Sequence, residues 1–306
     1  MTAAERARLL ADFGIDERAL IGEGLESRVY ALSDDLVLRL ARTPGGRSPD
    51  QRRLKAFLDG IAGHLPFATP KIVELGPRGV WRIEHRLPGG SLLERLRRVS
   101  DDRRDQALRY YLDAAETLAA VHFDHLPYGH VLARHPVTAP DWHAFLRETL
   151  SHFVSLNRVT IAHEVGDPYR LADRAADMLI ELPLNPPKSL VHGDFFPGNV
   201  LVGPDLKVTA LVDFGLYTLV GDPVLDLAVA CQTLEFIAET TAQDARFLRD
   251  LIVERHGGGV VPALRFYRAW LAFSMADPAN AKPPYPRMFP WAITMLRLLQ
   301  EGRLPA

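Results

Sequence analysis

Between Leu190 and Gly215 the chain reads LVHGDFFPGNVLVGPDLKVTALVDFG. Three oxygen-bearing side chains stand out in this stretch: Asp194, Asn199 five positions later, and Asp213 nineteen positions past Asp194. Phosphoryl transfer from a nucleotide needs an acceptor for a hydroxyl proton and two hard oxygen ligands for the magnesium that bridges the phosphates. Asp194 is the candidate base. Asn199 and Asp213, one neutral and one anionic, are the candidate magnesium ligands.

The spacing makes sense if two short strands flank a tight turn. Val200–Val202 and Val208–Val212 are aliphatic runs separated by Gly203, Pro204 and Asp205, the pattern of a hairpin. A hairpin brings Asn199, before its first strand, next to Asp213, after its second. Asp194 lies on the loop entering the hairpin, near a metal without having to ligate it.

Such a site needs a phosphate cover and a cation on an upstream sheet. Residues 21–30 read IGEGLESRVY, a glycine turn between two strand-like runs, with Gly22, Gly24 and Ser27 as candidate phosphate-loop positions. The following strand, LVLRLAR, is an apolar run interrupted by Arg39, whose planar fork suits phosphate oxygens. A helix expected from Pro49 to Ile61 should offer a glutamate to this cation, but holds only Asp50 and Gln51 near its start. Either Asp50 substitutes or the pair is absent.

HGDFFPGN followed by VDFG and DPVLDLA resembles the aminoglycoside phosphotransferase superfamily, kinase-like enzymes that include macrolide phosphotransferases, choline kinase and homoserine kinase. The resemblance covers most of the chain. It implies a protein-kinase-like two-lobed α+β fold, with a small antiparallel sheet followed by a larger, mainly helical lobe. It assigns Asp194 as catalytic base, Asn199 and Asp213 as Mg2+ ligands, His192 as a brace of the catalytic loop and Asp226 as its anchor from the next helix. Backbone groups at His85 and Leu87 would hold the base of ATP or GTP. Only twelve residues separate Asp213 from Asp226, with no Ala-Pro-Glu among them, so a peptide-docking activation segment has no room and the acceptor is a small molecule.

That acceptor is expected to be a hydroxyl of an antibiotic, such as a macrolide or an aminoglycoside, which would make the protein a resistance enzyme. A kinase of a primary metabolite (choline, homoserine or a sugar) and a catalytically silent nucleotide-binding protein are the alternatives. Glu235 and Glu239, on a helix expected over Asp222–Thr241, are candidate contacts for a cationic acceptor. The region from Gly257 onward holds two acidic residues, Asp277 and Glu301, and is rich in aromatics such as Tyr267, Trp270, Tyr285 and Trp291, which suits an apolar, bulky acceptor.

The chain of 306 residues divides on this reading into a nucleotide lobe (1–85), a hinge at Arg86–Gly90 and a catalytic and substrate lobe (91–306). With 36 basic and 38 acidic residues the net charge is −2, which offers no basic field for nucleic acid. Lone Cys231 excludes an internal disulfide framework, the charged start MTAAERARLL lacks the apolar core of a signal peptide, and no apolar run is long enough to span a membrane. A cytoplasmic enzyme is expected. Strands are expected near 18–21, 28–32, 36–41, 71–75 and 80–85, and the chain beyond Asp101 turns helical.

Overall fold

A computed structural model describes residues 2–24, 27–42 and 50–306. Two glycine-loop positions, 25–26, and the expected helix start at Pro49 lie outside the described residues.

The N-terminal part follows the alternating pattern of its sequence. After helix α1 (Ala3–Asp12), strands β1 (Leu20–Glu23), β2 (Ser27–Ala31), β3 (Leu36–Ala41), β4 (Ile72–Leu75) and β5 (Trp81–His85) form one antiparallel sheet in the order β1-β2-β3-β5-β4. Successive side chains of a strand point to opposite faces. Leu38 and Leu40 therefore share one face, where they join Tyr30 and Leu10 of α1 in a small separate core. Val37 and Arg39 take the other face, in register with Glu84 and Arg82 of β5. Helix α2 (Gln51–Ile61) starts at Asp50, whose carboxylate accepts from the N–H groups of Arg52 and Arg53 at 3.0 Å each.

The rest is mainly helical. Residues 86–89 lead into β6 (Gly90–Ser91), followed by α3 (Leu92–Leu96) and α4 (Asp101–Ala119), which buries Leu108, Tyr111, Leu112, Ala115 and Leu118 as one stripe. Then come β7 (Tyr128–His130), β8 (Thr138–Ala139), α5 (Trp142–Glu164) and α6 (Pro168–Asp177). Strands β9 (Ser189–Val191), β10 (Val200–Val202), β11 (Val208–Leu211) and β12 (Leu219–Gly221) carry the central motifs, and α7 (Val224–Thr233), α8 (Ala242–His256), α9 (Val261–Met275) and α10 (Met288–Gln300) complete the lobe. β10 and β11 form the antiparallel hairpin that the sequence suggests, and β6 adds a third strand to it. β12 pairs with β9, so the segments before and after the catalytic motifs run side by side. Among the described residues no helix is long and apolar enough to cross a membrane.

One helix is shorter than its sequence suggests. The expected span Asp222–Thr241 is helical only from Val224 to Thr233. Thr240 turns its hydroxyl back onto the carbonyls of Leu234 and Ile237, at 2.7 and 3.1 Å, and Thr241 opens α8 in a reciprocal capping box with Asp244. Both hydroxyl residues satisfy local backbone groups and so end one helix and start another.

Candidate active site

The loop after β9 is held from beneath by the first turn of α7. Asp226, 1% exposed, accepts the N–H of His192 through Oδ2 at 2.7 Å and that of Gly193 through Oδ1 at 2.9 Å. Burial pushes its pKa up to about 7, against the pull of these two donors. Gly193 has φ +75°, and a Cβ there would lie 2.0 Å from the Tyr217 carbonyl oxygen, so only glycine fits. Tyr111 of α4 donates its hydroxyl to the Phe195 carbonyl at 2.6 Å and stacks on the Phe195 ring.

His192 joins the two halves of the motif. Its Nε2–H donates to the Val212 carbonyl at 2.9 Å, and its Nδ1 accepts the Asp194 N–H at 3.3 Å. Burial lowers its pKa to about 4, so the ring is neutral and its tautomer is set by these partners. It also packs edge-on against Phe214 at 4.7 Å, which in turn faces Phe57 of α2.

The structure brings Asp194, Asn199 and Asp213 together. Buried Asn199 donates its Nδ2 to the Asp194 carbonyl at 2.9 Å and to its carboxylate at 3.0 Å, which fixes the direction of that carboxylate. The amide's acceptor oxygen is not spent on Asp194. Val212 N–H bonds the Asn199 carbonyl at 2.9 Å, and the next residue, Asp213, stands beside it. Asp213 adopts φ +62°, a left-handed conformation that aspartate tolerates better than most L residues. One half-exposed carboxylate and one amide oxygen fit magnesium, which takes few protein ligands and fills its shell with water and phosphate. Among the described residues no group of three or more His, Cys, Asp or Glu side chains is placed to hold a metal alone.

Arg39 reaches across the cleft to this cluster. It donates to Asp213 Oδ1 at 2.8 Å and to Ser27 Oγ at 3.0 Å, and its Nε lies 3.5 Å from Glu84 Oε2. Glu84, buried, also pairs with Arg82, and Arg82 donates to Gln51 Oε1 at 2.7 Å. Burial disfavours the charged forms of such groups. Glu84 and Asp213 outweigh it at Arg39 and keep the guanidinium charged, and Arg39 with Arg82 holds Glu84 below the usual carboxylate range. The cation thus has carboxylate partners, but Asp50 is not one of them: its Oδ1 caps the α2 N-terminus, accepting from the N–H groups of Arg52 and Arg53.

The remaining nucleotide candidates lie on two parts of the same sheet, the turn after β1 and the end of β5. Gly22 pairs with Val29, and the Gly24 N–H bonds the Ser27 carbonyl at 2.9 Å, closing the described part of the glycine turn. His85 gives its N–H to Lys71 and Arg86 gives its own to Asp35, while half-buried Leu87 follows at the start of the connection. Gly89, with φ +100°, lies so close to Val202 and Thr209 that any side chain would collide.

The two acidic acceptor candidates part company. Glu235 turns inward, bidentate to Arg268 at 2.7 and 2.8 Å and bonded by Trp291 Nε1 at 2.8 Å. Glu239 pairs with Arg97 and keeps 12% of its side chain exposed. Tyr285, on the proline-rich segment before α10, lies edge-on to Phe196 of the loop after β9 at 5.7 Å. Burial and the nearby carboxylates of Asp194, Glu239 and Asp213 raise the Tyr285 pKa to about 12. The sequence already placed Tyr285 among the aromatics that suit a bulky acceptor, but it did not single out Arg82 or Glu84 for the site. Two charges at alternate positions of a central strand were the available signal for the latter pair.

The sequence matches the description "phosphotransferase enzyme family" over residues 17–270, more than half of the chain. No curated protein matches it. The fold is similar to that of aminoglycoside phosphotransferase APH(4)-Ia in a ternary complex with ADP and hygromycin B, with TM-score 0.72 and 17% identity over 100% of both chains. It is also similar to ADP-bound aminoglycoside phosphotransferase APH(2'')-Ib, with TM-score 0.61 and 14% identity over 100% of both chains. Macrolide 2'-phosphotransferase MphH from Brachybacterium faecium aligns at TM-score 0.58 and 19% identity over 95% of this chain and 97% of its own.

Proposed function

Because the chain belongs to the phosphotransferase enzyme family, we propose that it transfers the terminal phosphoryl group of ATP or GTP to a hydroxyl of an antibiotic of the aminoglycoside or macrolide class. The protein is a small-molecule kinase. The observation that carries the reading is the Asp194 carboxylate, aimed by Asn199 and set opposite the Arg39–Asp213 pair.

Asp194 orients the acceptor hydroxyl and takes its proton. Asp226, His192 and Gly193 keep the loop in the conformation that points Asp194 at the acceptor. Gly22, Gly24 and Ser27 cover the phosphates, Arg39 contributes a cation to them, and the backbone at His85 and Leu87 holds the base. Asn199 and Asp213 would hold magnesium, which when bound neutralises charge on the phosphates. Residues 1–85 form the nucleotide lobe, 86–90 the hinge and 91–306 the catalytic and substrate lobe. Phe196, Tyr285 and Glu239 supply an aromatic wall with a carboxylate at its edge, which suits a bulky hydroxylated compound carrying an amine. The aminoglycoside and macrolide enzymes of similar fold support this class.

The test is release of nucleoside diphosphate from ATP and from GTP with magnesium, in the presence of aminoglycosides, macrolides, choline, homoserine and sugars. An antibiotic should stimulate turnover, and Asp194→Ala should lower it at least a hundredfold. Stimulation by a primary metabolite alone would move the assignment to metabolism. Absence of stimulation by any acceptor would sink it.

A further inference from the structure

In the phosphotransferase reading just proposed, on which this inference rests, Arg39 needs a carboxylate that orients it toward the phosphates. Helix α2 offers none: its N-cap Asp50 is spent on the helix N-terminus, Gln51 in its first turn is neutral, and Asp59 near its end pairs with Lys55. Apart from Asp213, the candidate metal ligand, the carboxylate beside Arg39 comes from the neighbouring strand of the same sheet. Register pairs Arg39 with Arg82 and Val37 with Glu84, so the three charged side chains share one face of β3 and β5. Glu84 is 3% exposed and stands between the two guanidinium groups, within 3.5 Å of Arg39 Nε and bonded to Arg82 Nε. Arg82 is anchored in turn by Gln51 at 2.7 Å.

We infer that Glu84 is the positioning residue of the nucleotide clamp, taking within the sheet the role that a helix carboxylate would otherwise fill, with Arg82 fixing Glu84. The consequence is regulatory. A carboxylate on a helix can be withdrawn by swinging the helix, which switches the clamp off. Here β3 and β5 are adjacent hydrogen-bonded strands, and their relative position does not change when α2 moves. Gln51 contributes a neutral hydrogen bond to Arg82 and no charge, so α2 only trims the network. The clamp is permanently set, and the enzyme needs no activating movement of α2.

Three variants separate this from a purely structural role, with binding of a non-hydrolysable ATP or GTP analogue with magnesium, followed by calorimetry, as a readout besides turnover. Glu84→Gln should weaken nucleotide binding at least tenfold and raise the nucleotide KM in parallel, while the acceptor KM stays within twofold. Glu84→Asp keeps the charge but draws it back by one methylene, and should fall between wild type and Glu84→Gln. It also serves if the glutamine variant does not fold. Gln51→Ala should change nucleotide affinity less than threefold.

Wild-type nucleotide affinity in folded Glu84→Gln or Glu84→Asp would overturn the inference. A loss in Gln51→Ala equal to that in the Glu84 variants would overturn it too, by showing that the helix sets the clamp. Wild-type protein that neither binds the analogue nor responds to any acceptor would instead count against the phosphotransferase reading itself.

Discussion

Gly193→Ala tests the construction of the catalytic loop most directly. The φ of +75° alone costs an L side chain about 1 kcal/mol. The larger effect is a collision with backbone. The new Cβ would sit 2.0 Å from the Tyr217 oxygen, where ordinary contact begins at 3.4 Å, so the two segments must separate by about 1.4 Å. The loop cannot yield freely, because the N–H groups of His192 and Gly193 are both bound by Asp226. Weakening one of these bonds costs roughly 1.5–3 kcal/mol, which brings the expected loss of stability to about 2.5–4 kcal/mol. A displacement near 1 Å at the base is expected to lower kcat about a hundredfold.

Diphosphate release under saturating nucleotide and acceptor gives kcat, and thermal unfolding gives stability. Gly14→Ala, at the left-handed C-terminal cap of α1, is the control: it has a similar φ, +71°, but nothing within 4 Å of the new Cβ. It should lose only about 1 kcal/mol and keep its kcat. If Gly193→Ala retained kcat within threefold of wild type, or behaved like the control, the loop would not depend on this contact and the argument would be refuted.

Arg39→Ala is expected to weaken nucleotide binding by roughly 1.5–3 kcal/mol, one lost charge-assisted contact, measured as the nucleotide dissociation constant; unchanged affinity would show that Arg39 serves only the sheet. A pH effect follows from His192, whose folded pKa of about 4 lies below the unfolded value of 6.5. The unfolded state binds the extra proton between these values, so this group's contribution is complete above pH 6.5 and is lost as pH falls toward 4, by up to about 3 kcal/mol. Denaturant unfolding of His192→Gln should therefore show a smaller loss than wild type across that window, and equal losses would refute a neutral buried ring; the comparison is differential because Asp226, raised to about 7, contributes with the opposite sign.

Much of this was legible in the sequence because local rules and global fold agree there. The β10–β11 hairpin is fixed by aliphatic runs around Gly203-Pro204-Asp205, and α4 by its regular apolar stripe. Where the sequence misled, a side chain did something local that a periodic pattern cannot show. Thr240 and Thr241 end the helix that seemed to carry both Glu235 and Glu239. Glu235 is an exposed-looking acid until Arg268 and Trp291 close on it from α9 and α10. The pairing of Arg39 with Glu84 depends on strand register, and register across 45 positions is set by the whole sheet rather than by either segment.

The position of Tyr285 has an evolutionary consequence. Asp194 and its loop are fixed by interior groups, Tyr111, His192 and Asp226, whose replacement would disturb the fold. Tyr285 meets that loop through a ring contact with Phe196, from a proline-rich segment between α9 and α10. On the proposed reading, chemistry and selectivity are then carried by separable parts of the chain. Substitutions within residues 277–287 are expected to change which compounds are accepted and to leave phosphoryl transfer to an accepted compound intact.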